Sequence, residues 1–85
     1  MLKRTEAIRR LVDAMIVSQG KDYTLDDIYL ATFDPPHEEI RTSEFLHSRC
    51  SRIVARMRKV AAHQGYRIVV GQGYGSYRAI KLRAS

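Results

Sequence analysis

Cysteine is almost absent from this chain: Cys50 is the only one in 85 residues. No internal disulfide can form, and a zinc site built from several cysteines is excluded. The expected compartment is a reducing cytoplasm. Long apolar runs are missing as well. Stretches such as "AMIV" at 14–17 fall far short of the roughly 20 residues that a membrane-spanning helix needs. The N-terminus is basic but has no long apolar segment, so no signal peptide and no membrane partner are expected. Acidic residues are missing from one half only. Residues 1–44 hold six Lys/Arg and all nine Asp/Glu, whereas residues 45–85 hold nine Lys/Arg and no acid.

Apolar residues make up 45% of the chain and charged ones 28%, the balance of an ordinary globular domain. There is no repeat, low-complexity tract or linker, so residues 1–85 are expected to form one domain. The net charge of +6 is concentrated in the acid-free half. Such a field attracts polyanions, nucleic acid above all.

Hydrophobic periodicity predicts three helices. Ile8, Leu11, Val12 and Met15 share one face of a helix at about 4–18, with Thr5 as its expected cap and Gly20 as its stop. Thr24 is the expected cap of a second helix at about 25–32, with Asp26 and Asp27 in its first turn. Tyr23 and Ile28 flank that cap as a hydrophobic staple. "DPPHEEIR" at 34–41 is a rigid acidic connection. The third helix, about 43–63, is capped by Thr42 or Ser43 and stopped by Gly65. Its apolar seam is Leu46, Cys50, Ile53, Met57 and Val60. Arg49, Arg52, Arg56, Lys59 and His63 form a second row about 110° around the axis, with no acid at i+3 or i+4 to neutralise it.

From Tyr66 the period changes to two. The segment 66–83 reads as a β-hairpin with Gly73-Tyr74-Gly75 as its loop. Placing Ile68 opposite Ile80 and Tyr66 opposite Leu82 puts the apolar residues on one face. Arg67, Tyr77, Lys81 and Arg83 then point outward, and Arg78 points inward opposite Val70. The glycine-rich "GQGYGS" is not a dinucleotide loop, because a strand rather than a helix follows it. It also lacks the Gly-Lys-Ser/Thr of a Walker loop.

A mostly α fold with a C-terminal β-hairpin, in the order helix, helix, long basic helix, hairpin, is that of a winged helix-turn-helix. "SRIVARMRKV" followed by "YRIVVGQGYGSYR" resembles the end of the OmpR/PhoB-type output domain of response regulators. The matching residues are Arg56-Met57-Arg58-Lys59 and Gly71-Gln72-Gly73-Tyr74, and the similarity extends over roughly 23–80. Where that family often has a basic residue before the turn, this chain has Val70, and no receiver domain is expected within these 85 residues. The resemblance implies a stand-alone transcription regulator, with a phage or mobile element as its expected source.

The expected partner is double-stranded DNA, read by the third helix in the major groove. His47, Ser48, Ser51 and Arg52 are the candidates for base contacts, and Arg49, Arg56 and Lys59 for phosphates. In the wing, Gln72, Tyr74, Ser76 and Arg78 are candidates for the backbone or the minor groove. Tyr74 folding back on its own hairpin and His47 as plain solvated surface are equally consistent with the pattern, and an inward Arg78 opposite Val70 also fits a structural role. A homodimer fits the repeated half-sites that such domains commonly bind. The alternative function is a protein-interaction module, an antirepressor or host-factor inhibitor, using the acidic 26–39 region. RNA binding lacks the aromatic strand it would need. No enzyme activity, metal or cofactor is expected. Cys50 lies in the apolar seam, and His63 is more than three helical turns beyond His47 and Cys50.

Overall fold

The computed structural model describes residues 3–33, 40–73 and 75–82. Three helices are followed by a hairpin that joins a short early strand. In chain order these are α1 (Arg4–Val17), β1 (Tyr23–Thr24), α2 (Leu25–Thr32), α3 (Ser43–His63), β2 (Tyr66–Val70) and β3 (Ser76–Lys81). The strands form one antiparallel sheet in the order β1-β3-β2.

Local signals account for most helix ends. Thr24 accepts from the backbone N–H of Asp27, and the Asp27 carboxylate accepts from the N–H of Thr24, a reciprocal capping box. Thr42 caps α3 by accepting from the N–H of Phe45. The start of α1 differs from expectation. Its first residues have helical backbone from Arg4 onward, so the cap is Lys3, which makes no side-chain bond, and Thr5 lies inside the helix. Gly20 and Gly65 turn the chain after α1 and α3 with φ of 90° and 79°. Tyr23 does more than flank a cap: its hydroxyl lies 2.7 Å from Ser18 Oγ at the end of α1, tying that end to β1.

The core lies where the three helices and the inner face of the sheet meet. Ile8, Met15, Ile28, Met57, Val12 and Cys50 are its largest fully enclosed side chains. Each of the larger ones contributes roughly 1.5–3 kcal/mol by leaving water. The apolar seam of α3 is buried except at Val60, which is half-buried, and Val54 and Ala61 widen it. Arg4 closes the opposite edge, its guanidinium 4.1 Å above the Phe33 ring and its Nε donating to the carbonyl of Thr32.

The hairpin corrects the expected register by one residue. Ile68 stands opposite Ala79, not Ile80, and Tyr66 opposite Lys81. Ala79 is fully buried, while Ile80 and Leu82 are 37% and 44% exposed. Tyr77, expected to point outward, packs against the core, and Arg78 takes the outer face opposite Val69. The physical reason lies in β3 and its partners. Both alternating sets of β3 contain apolar residues, so pattern alone does not choose a face. The choice falls to β1, which pairs Tyr23 with Tyr77 and Thr24 with Ser76, and to the small Ala79, which lets the strand lie close to the helices. The loop is also longer than three residues: Gly71 N–H donates to Ser76 O, enclosing four. Arg83 lies outside the described residues.

Candidate nucleic-acid interface

The exposed surface of α3 follows from its buried seam. With Met57 facing the core, the helix turns about 100° per residue, so Ser48, Ala55 and Lys59 come round to the side directly away from the core. Arg49, Arg52, Arg56 and Lys59 are all exposed and follow one flank of that side. This flank borders α1: the Arg56 guanidinium donates to Thr5 Oγ1 at 2.8 Å, and Gln64 donates to Asp13. Arg49 rests over the Phe45 ring at 5.1 Å. The predicted basic ridge is therefore continuous and solvent-facing, with two of its members steadied by neighbours.

The other flank faces the hairpin. His47 and Ser51 lie on it, both exposed. His47 borders the same hollow as Gly71, Gln72, Gly73 and Ser76, so the N-terminal half of α3 and the hairpin loop form one surface. That juxtaposition links the two halves of the expected interface. Arg58 is also on this flank, about 160° around the axis from Arg56. It lines a groove with Arg67 of β2. Neither residue stood out in the sequence as a contact. Arg58 falls outside the regular 3-4 row, and Arg67 gains meaning only from the strand's position.

In the loop, the chemistry is internal. The Asp22 carboxylate accepts from Arg78 Nε at 2.7 Å through Oδ1 and from the backbone N–H of Gln72 at 3.1 Å through Oδ2. The hydrogen bond from Arg78 holds the Asp22 carboxyl below its ordinary value of 3.8, helped by Gln72 and by the charge of Arg78, against partial desolvation. The same pair raises Arg78. Gly71 is required here, because a Cβ at that position would lie 2.3 Å from Asp22 Oδ1. Asp22 is thus the anchor of the loop, a role with no local sequence signal.

This arrangement changes the expected wing contacts. Ser76 is buried, and its hydroxyl donates to Gly73 O at 2.6 Å, closing the turn, so it is not available to a duplex. Arg78 has its Nε committed to Asp22 and serves the loop's own structure. Gln72 has an exposed side chain over a bonded backbone. Tyr74 lies outside the described residues, as do 34–39 of the acidic region. Of that region, Asp26 pairs with Arg41 and Asp27 belongs to the capping box, so both carboxylates already have partners.

Cys50 is enclosed in the core with its Sγ 3.7 Å from the carbonyl of Leu25. Burial pushes its thiol up to about 11, and the Asp26 charge adds to the effect, the reverse of a nucleophile's environment. Among the described residues no group of three or more His, Cys, Asp or Glu comes together as a metal site, and no helix is long and apolar enough to cross a membrane. Compared with known protein families, curated proteins and solved structures, the chain matches none of them.

Proposed function

We propose that this chain is a winged-helix domain that binds double-stranded DNA as a small, non-enzymatic transcription regulator. The observation that carries this reading is the joint surface of α3 and the hairpin loop, in which every cation of α3 comes from the half of the chain that has no acid and Glu44 in the first turn is the one acid of the helix. The element order, with the helix-hairpin pair preceded by a short strand that pairs with β3, supports the winged-helix assignment. In this reading the N-terminal half of α3 enters the major groove. Ser48, Ser51 and Arg52 meet base edges there, with His47 at the junction with the loop. Arg49, Arg56 and Lys59 grip phosphates and fix register. Gln72 supplies the loop's contact to the backbone. Ser76 and Arg78 act indirectly, by holding that loop in shape.

Selection of bound sequences from a random duplex pool tests the reading. The expected result is an enriched motif, with Arg52→Ala costing about 1–3 kcal/mol on that motif and much less on unrelated duplexes. Twofold symmetry in the motif reports a dimer. A pool that shows no enrichment, or an Arg52→Ala variant equally weak on every duplex, contradicts sequence-specific recognition.

A further inference from the structure

The open edge of the sheet is a second interaction surface, independent of the proposed DNA contacts. The order β1-β3-β2 leaves β2 paired on one side only among the described residues. Gly71 N–H donates to Ser76 O and Leu82 N–H to Gly65 O, so 71 with 76 and 65 with 82 are hydrogen-bonded pairs of the ladder. Antiparallel alternation then turns Arg67 and Val69 toward β3, and directs the backbone N–H and C=O groups of Tyr66, Ile68 and Val70 away from it. These are the groups that an added strand would bond.

The edge runs along a groove of about 540 Å³ whose lining includes every residue of β2, from both faces of the strand. Arg58 and Ala62 of α3 form its far wall, and Leu82 closes one end. Val70 is 68% exposed and Leu82 44%, so the groove offers apolar contact beside the free backbone groups. Its two charged residues are Arg58 and Arg67, and no acid lines it.

We infer that this groove takes an extended acidic peptide segment of a partner protein, which adds to β2 as a fourth strand. Backbone pairing supplies register-independent affinity, and carboxylates on the two faces of the added strand meet Arg58 and Arg67. A second copy of this chain fits poorly: pairing β2 with its own counterpart brings like-charged Arg67 and Arg58 side chains together. A nucleic-acid strand would meet the two arginines but leave the apolar lining and the row of backbone donors and acceptors without use.

The test uses the full ¹⁵N-labelled chain and the synthetic peptide acetyl-Glu-Val-Glu-Glu-Val-Glu-amide, with a control in which every Glu is Lys. At a concentration ten times its Kd, the acidic peptide is expected to slow exchange of the Ile68 and Val70 amides about tenfold, and the Lys peptide to leave them unchanged. Arg58→Ala combined with Arg67→Ala is expected to weaken peptide binding at least about fivefold. Val70→Pro removes one outward N–H without touching the ladder to β3, and so should fold normally and lose protection at Ile68. No protection of the edge amides by the acidic peptide overturns the inference, as does equal binding of the Lys peptide. It is also overturned if the double arginine variant loses affinity for duplex DNA while peptide binding stays unchanged. Failure of duplex binding alone leaves the edge-amide result to stand on its own.

Discussion

Asp22 shows how much of the hairpin depends on a single side chain. Its carboxylate joins Arg78 to the backbone of Gln72, and it fills the space beside Gly71 that any other residue would claim. Its contacts span 50 and 56 positions of sequence, so nothing local in "GKDYT" identifies it. Because the folded carboxyl is held below 3.8, its contribution is fully present above that pH and is lost only as acid carries the solution down through the lower folded value. The contribution of the Asp22 carboxylate is therefore constant across the neutral range. Gly71→Ala is expected to push Asp22 off Arg78, because the new Cβ would lie 2.3 Å from Oδ1 and 2.8 Å from Ser76 Oγ. Carboxyl-detected NMR checks this: the Asp22 midpoint lies below 3.8 in the parent and rises in the variant, with helical signals unchanged. An unmoved midpoint contradicts the anchoring role.

The three helices were legible because their signals are local. Thr24 and Thr42 cap from within one turn, and α3 spans Ser43–His63 as its cap and stop signals predict. The sheet was less legible, since its register is settled by β1, two residues that no period-2 pattern reveals. Alternation in β3 admits both faces, and the expected register chose the larger side chains, whereas the fold buries the smaller Ala79. Two substitutions separate the registers. Ala79→Leu is expected to destabilise by about 1–3 kcal/mol through overpacking at a closed position. Ile80→Ala, on the solvated face, is expected to cost less than about 1 kcal/mol. Denaturant midpoints measure both, and the opposite ranking contradicts the register described.

Across the whole molecule, charge separates from packing. The apolar seam of α3 and the core it enters use residues that say nothing about a partner, while the cations on its exposed flanks all come from the acid-free half. Both exposed flanks of α3 meet a neighbour, α1 on one side and the hairpin on the other. The sequence carried the ridge of Arg49, Arg52, Arg56 and Lys59 in plain view, because helical spacing makes a row visible. It hid the groove that Arg58 and Arg67 share and the burial of Ser76, because these depend on where a strand lies in space. If the molecule clasps a duplex between α3 and the loop, its affinity is dominated by phosphate neutralisation and falls steeply with salt.

The most direct measurement is the affinity for a duplex as a function of salt concentration, for the parent chain and for Arg56→Ala and Lys59→Ala. Tight binding at low salt is predicted, with a linear log–log decline whose slope shrinks by about 0.9 for each of the two substitutions. Absence of binding at low salt, or a slope that neither substitution changes, contradicts the claim that this helix grips the phosphates of DNA.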